Sequence, residues 1–221
     1  MIREKLLMIK LDILSDPICP WCLIGKTNLD KAILKFPETR FQIEWHPFQL
    51  NPEMPLKGMD RREYLKTKFG SEENAYRVYS RISKTAVESG LELELQKIKR
   101  TPNTINAHRL IHWSGLEGFQ TATVVALFKA YFIDGRDIGN IATLISIAKD
   151  IGLNESLIKR LLESDADKEI IEQRDRNSRE KGVTGVPTFI VEDTHVLPGA
   201  QSENLWINVI EELNQLKGGT K

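Results

Sequence analysis

The stretch Ser15-Asp16-Pro17-Ile18-Cys19-Pro20-Trp21-Cys22 holds both cysteines of this 221-residue chain, three positions apart, where a strand-like run meets a helix-like one. Upstream, Met8 to Leu14 is short and mostly apolar; downstream, Leu23 to Phe36 places Leu23, Ile24, Leu29, Ile33 and Leu34 roughly at helical spacing. Cys19 is therefore expected at or near a helix N-terminus, where unsatisfied N–H groups and the positive end of the helix dipole favour an anion. A thiolate is such an anion and is the nucleophile of thiol–disulfide exchange, with Cys-X-X-Cys pairs at helix starts reaching pKa values of about 3.5 to 7.5. Position divides the labour. Cys19, following a loop, is expected to be the exposed attacking sulfur, and Cys22, one turn in, the covered resolving one. Pro20 costs little in a first turn, whose N–H groups lack partners anyway. Trp21 is expected beside the sulfurs as an apolar wall.

Such a pair has three readings: a redox couple, half of a zinc site, or two inert cysteines. A neighbouring βαβ pattern favours the first. Arg40 to Leu50 supplies it, alternating Phe41, Ile43 and Trp45 against Gln42, Glu44 and His46. A strand, a helix and a second strand over this span make a right-handed crossover with parallel strands. Ligand chemistry in such sheets gathers at the carboxyl ends of the strands, where Cys19 lies. Charge adds an exclusion: 31 Lys and Arg balance 31 Asp and Glu, so no excess recruits nucleic acid or a membrane surface. Two cysteines are too few for a disulfide-stapled secreted scaffold. Arg3 and Lys5 precede an apolar run as in a signal peptide, but Lys10 and Asp12 interrupt it and no small-residue cleavage site comes after, so a cytoplasmic location is expected. No stretch reaches transmembrane length.

Asn51 to Asp60, with Pro52, Pro55 and Gly58, reads as a linker, and the chain beyond it is helical in pattern as far as Lys181. Arg61–Ser89 has Gly70 as a candidate break, and Pro102 is expected to start a helix running to Gly115. Phe119–Ile133 is apolar nearly all round and is expected to be the central buried helix. Asn140–Ile151 and Asn154–Glu163 come next, then Asp165–Lys181, charged and expected on the surface. Gly182-Val183-Thr184-Gly185 returns the chain to strand: Pro187–Val191, a turn at Glu192-Asp193, and His195–Leu197 form an antiparallel hairpin. Ser202 is an N-cap candidate for a last helix over Leu205–Leu216, and Gly218–Lys221 is expected to be disordered. The class is thus α/β, with βαβ and ββα units split by an all-helical insertion: residues 1–60 and 182–221 as one domain, 61–181 as the other.

That order, with Cys19-Pro20-Trp21-Cys22 on the first helix and Gly185-Val186-Pro187-Thr188 opening the third strand, resembles the DsbA-like thioredoxin superfamily, and more narrowly the FrnE type of dithiol-disulfide oxidoreductase or isomerase. Further matches are Ser15-Asp16, Asn103-Thr104 with Ala107-His108-Arg109-Leu110, Ala130-Tyr131-Phe132 with Gly135-Arg136-Asp137-Ile138, and Gly199-Ala200-Gln201. The resemblance implies a thioredoxin fold carrying a helical insertion, exchange through Cys19, and a cis peptide bond before Pro187. Taken alone, a proline opening a strand is expected to be trans, the commoner form, although X-Pro is where cis is cheap. A cis bond would turn the Val186 backbone toward Cys19, where its N–H and C=O would pair with a substrate peptide. The expected site is then Cys19, Cys22 and Pro187 in catalysis, with Pro20, Trp21, Val186 and His108 toward substrate. No metal and no bound cofactor is expected beyond the Cys19/Cys22 disulfide, with glutathione a candidate redox partner. Substrates are disulfide-containing proteins or small thiols, handled by a monomer or homodimer. A cytosolic setting separates this chain from a periplasmic oxidase, because the cytosol keeps dithiols reduced.

Other side chains compete for roles. His108 and His112 share a helix face and would formally complete a Cys2His2 zinc set, a reading disfavoured by their separation from the cysteines and by the loss of a reactive sulfur to the metal. His112 is expected on a polar face, and His108 facing the cysteines, its imidazolium helping to hold a thiolate. Asp12 is either a buried carboxylate relaying a proton to Cys22 or, preferably, a solvated or hydrogen-bonded group near a strand end. Asp16 reads as a turn residue whose charge disfavours a thiolate beside it. Trp45, Phe48, Trp113, Tyr131 and Phe132 are read as core. Two rival functions stand. One is a glutathione-dependent isomerase or transferase of the hydroxychromene carboxylate isomerase type, which typically keeps a serine where Cys19 stands. The other is a redox-linked holdase working through an apolar groove.

Overall fold

A computed structural model describes residues 8–218, so the lead-in with Arg3 and Lys5 and the tail beyond Gly218 lie outside the described residues. Strand β1 (Met8–Ser15) is the axis of the sheet. It pairs in parallel with β2 (Arg40–Pro47) and antiparallel with β5 (Thr188–Val191), which pairs in turn with β6 (His195–Pro198), giving the order β2-β1-β5-β6. Ile9, Leu11 and Ile13 share one face by strand alternation and are fully buried. Phe189, in register with Ile13, extends that face and meets Trp206 edge-to-face at 4.9 Å between ring centroids. Trp206 belongs to α9 (Glu203–Gly218), which packs beside α1 (Pro20–Ile33). Ser202 caps α9 as expected, its Oγ accepting the Leu205 N–H at 3.2 Å.

β2 is an edge strand, and a side chain closes part of that edge. Gln120 Oε1 accepts the Trp45 N–H at 2.9 Å and Gln120 Nε2 donates to the Trp45 carbonyl at 3.1 Å, so an amide stands in for a neighbouring strand. Gln120 opens α5 (Gln120–Phe132), whose Val124, Leu127, Phe128, Tyr131 and Phe132 are buried. The helix is not apolar all round: Val125 is 43% exposed. The core reading of Trp45, Phe48, Trp113, Tyr131 and Phe132 holds, for all five are buried.

The insertion departs from all-helical at one place. β3 (Met59–Asp60) and β4 (Arg100–Thr101) form a two-residue antiparallel ladder that ties together the two ends of a helical hairpin. That hairpin is α2 (Arg61–Phe69), capped by the Asp60 carboxylate, and α3 (Glu72–Glu88), capped by Ser71, with Gly70 between them at φ 80. The break expected at Gly70 is therefore real, since a left-handed residue ends α2. α4 (Ile105–Leu116) begins three residues after Pro102, where Asn103 Oδ1 takes the Ile105 N–H at 2.9 Å; a side-chain acceptor, not the proline, sets that start. α6 (Ile141–Asp150) and α7 (Glu155–Leu162) come next. α8 (Lys168–Glu180) is less superficial than its charge implies, because it packs on β2 and buries Ile171 and Asp175.

Candidate active site

Cys19 is the N-cap of α1, with extended backbone angles, φ −89 and ψ 112, and no side-chain cap on the helix start. Its N–H donates to the Asp16 carbonyl at 2.9 Å and its carbonyl accepts the first helical bond from Cys22 N–H at 3.1 Å. Both cysteines are free thiols. The expected exposure of Cys19 is wrong: it is 3% exposed. The cause lies far along the chain. The Val186–Pro187 peptide is cis, and the Val186 carbonyl sits 3.5 Å from Cys19 Sγ and accepts its thiol. Cys22 is covered as expected, at 1% exposure. Burial pushes its thiol well above the usual range and the adjacent Cys19 sulfur adds to that, while Ser15 and the Asp16 backbone N–H pull the other way. Ser15 Oγ is buried beside Cys22. Trp21 is 37% exposed, whereas Pro20 is buried.

Asp16 is a buried carboxyl, not a solvated turn residue. It is wholly inaccessible, and its oxygens accept the Leu50 N–H at 2.7 Å and the Ile18 N–H at 3.4 Å. Burial raises it from 3.8 to about 7, against those N–H groups and the nearby Thr104 hydroxyl. His108 lies over it, with Nε2 at 3.8 Å from Asp16 Oδ1, too long for a hydrogen bond and with no other partner among the described residues. Burial lowers His108 to about 4, Asp175 opposing and Arg174 assisting. The expected imidazolium is thus a neutral ring at neutral pH, turned into the protein instead of toward substrate. Leu50 and Thr104 are held by a buried network: Gln49 donates to Asn103 Oδ1 and Thr104 Oγ1, and the Asp175 carboxylate takes the Gln49 N–H at 2.9 Å. The Asn103-Thr104 and His108 segment of α4 thereby reaches the cysteine loop through Asp16.

The four zinc-type ligands are not drawn together. Among the described residues, the group whose ligating atoms converge is Asp12, Glu44 and His46, within 4.8 Å of one another. Its atoms already have partners: His46 Nε2 is 2.9 Å from Asp12 Oδ1, and Arg174 donates to His46 Nδ1 at 2.9 Å and to Glu44 at 3.1 Å. Asp12 also pairs with Lys10 at 3.4 Å. Asp12 is thus a hydrogen-bonded carboxylate, held by His46 and Lys10. His112 is half-buried beside Arg174, and burial, then that cation, lower it. Asp12, His46, Lys181, Thr184, Val186 and Pro187 line a groove of about 880 Å³ over the second face of the sheet. His108 does not line it.

A helix-capping Cys-X-X-Cys pair facing a cis-proline loop across this sheet defines a thioredoxin-fold protein with a dithiol at its candidate active site. Residues 10–209 match the family model described as the DSBA-like thioredoxin domain, and the chain belongs to that family. It is 26% identical over 210 residues to a Bacillus subtilis (strain 168) protein described as uncharacterized protein YwbO, covering 95% of this chain and 99% of that one. Among solved structures it is similar to a probable DsbA oxidoreductase, SCO1869, from Streptomyces coelicolor, at TM-score 0.82 and 26% identity, with 96% and 92% of the chains covered. The fold also matches the cytosolic disulfide reductase DsbM from Pseudomonas aeruginosa, solved with GSH, at TM-score 0.66 and 18% identity over 94% and 99% of the chains.

Proposed function

We propose that the protein is a FrnE-type thiol-disulfide oxidoreductase or isomerase acting by dithiol exchange through Cys19 and Cys22. The observation that carries the reading is the position of Cys19 Sγ, at the N-cap of α1 and 3.5 Å from the Val186 carbonyl. The thiolate of Cys19 attacks one sulfur of a substrate disulfide, forms a mixed disulfide and expels the other sulfur as a thiolate. Cys22 then attacks Cys19 Sγ, its proton passing to the departing substrate sulfur, and the Cys19–Cys22 disulfide forms; the substrate leaves with both sulfurs reduced, the first thiolate taking its proton from water. The same steps in reverse oxidise a dithiol substrate. The raised thiol of Cys22 suits the first step, because a protonated resolving sulfur does not compete for that attack.

In this reading the Val186 backbone and Pro187 hold an extended substrate segment beside Cys19. Trp21 and Pro20 flank it, and His108 packs over Asp16 as a neutral ring. Substrates are protein disulfides or small thiols, with glutathione as redox partner in a cytosolic setting; the fold shared with the GSH-bound DsbM supports that choice. Two sulfurs at positions 19 and 22 favour dithiol exchange over a glutathione-dependent isomerase, which requires no resolving cysteine. Equilibration against glutathione buffers, followed by Trp21 fluorescence, tests the proposal. A defined two-electron potential near about −270 mV marks a reductant or isomerase and one near about −120 mV an oxidant. Full turnover by Cys22→Ser, or no defined potential, rejects dithiol exchange.

A further inference from the structure

A second cavity, of about 810 Å³, lies between α2, α3 and the 3-10 turn at Leu95–Lys97, and none of the cysteine-site residues lines it. Its walls are largely apolar, from Leu65, Ala75, Tyr76, Leu95 and Ile98, and its size falls within the ordinary range for small-molecule sites of about 300–1,000 Å³. Arg61 lies at its wall and is 8% exposed. Its Nη1 donates to Thr101 Oγ1 at 3.2 Å and Tyr131 OH at 3.3 Å, and its Nη2 donates to Tyr79 OH at 2.7 Å. All three acceptors are neutral, and Arg61 makes no ion pair with any described residue. The rings of Tyr64 and Tyr79, 5.9 and 5.0 Å from the guanidinium carbon, answer part of its charge. A guanidinium buried without a carboxylate is otherwise costly.

The anions that line this cavity are engaged elsewhere. Asp60 caps α2 by accepting the N–H groups of Arg62 and Glu63, and Glu72 holds Arg62 through two bonds of 2.7 and 2.9 Å. Lys99 donates to the Gln96 carbonyl. Tyr79 is polarised by its short bond from Arg61, and its own hydroxyl proton has no acceptor among the described residues. Tyr131, by contrast, passes its proton to the Arg100 carbonyl at 3.3 Å. The edge-to-face contact of Tyr79 with Phe69, 6.1 Å between centroids, fixes the ring that carries that free donor.

We infer that this cavity binds an amphipathic carboxylate, its head accepting from Tyr79 and facing Arg61, its apolar body along Leu65, Ala75, Leu95 and Ile98. The site is separate from the dithiol chemistry. Calorimetric titration of the full chain with decanoate, against decyltrimethylammonium as the charge-reversed probe, tests it. Saturable one-to-one binding of decanoate and none of the cation is expected. Tyr79→Phe should weaken decanoate about tenfold or more, the ordinary worth of a hydrogen bond to a charged group. Ser83→Trp, which fills the cavity from a half-buried position on α3, should abolish binding while leaving the melting transition in place. No saturable decanoate binding, equal binding of the cation, or an affinity unchanged in either variant overturns the inference.

Discussion

Replacing Asp16 by Asn should stabilise the protein at alkaline pH relative to acid pH. The wild-type carboxyl has a pKa raised to about 7 in the fold from a reference of 3.8, so the native state binds more protons than the unfolded chain across that window. Stability attached to Asp16 is therefore full below about pH 4 and is lost as pH rises through 7. Worked through the two values, ionisation of Asp16 costs the fold about 2 kcal/mol at pH 5 and about 4 kcal/mol at pH 8. Asn keeps an oxygen for the Leu50 N–H and does not ionise, and any weakening of the Ile18 contact acts equally at both pH values. The difference in unfolding free energy between Asp16→Asn and wild type should then rise by about 2–3 kcal/mol from pH 5 to pH 8. His108 does not disturb the comparison, being neutral in the native state at both. Equilibrium urea unfolding at each pH reads it directly. A difference that is flat with pH, or that falls, refutes a buried, proton-holding Asp16.

His108 carries the opposite sign. Its pKa is lowered to about 4 from 6.5, so its contribution is present above pH 6.5 and is lost as pH falls toward 4, by about 3 kcal/mol in full; His108→Gln should flatten that acid limb in the same unfolding experiment. Gln120→Ala should cost about 1–3 kcal/mol, by stripping the Trp45 N–H and carbonyl of their partners on the sheet edge. Amide hydrogen exchange at Trp45 should quicken in that variant more than at Leu11, which stays paired within the sheet.

What could be read from the sequence was local. The Cys-X-X-Cys pair at a helix start, the period-two strand at β2, the stop at Gly70 and the cap at Ser202 each depend on a few neighbouring residues. What escaped reading depends on residues far apart. Cys19 looks exposed because it comes after a loop, yet the group that covers it, Val186, is 167 positions away. Asp16 stands next to a proline and looks like a turn; only the arrival of Leu50 and Thr104 buries it. His108 faces the cysteine loop in the general sense expected, but its protonation is decided by how much protein closes over it, which no periodicity reports. The β3–β4 ladder is too short to carry an alternation pattern. Arg61 opens a charged helix, and its partners Tyr79 and Tyr131 lie 18 and 70 positions away.

Trapping the mixed disulfide tests dithiol exchange most directly. Cys22→Ser is incubated with oxidised glutathione and its peptides are weighed by mass spectrometry. The predicted result is a stable glutathione adduct on Cys19, while wild type under the same conditions ends as the Cys19–Cys22 disulfide and retains no adduct. An adduct that forms equally well on Cys22 of Cys19→Ser, or none on Cys22→Ser, would contradict the assignment of Cys19 as the attacking sulfur.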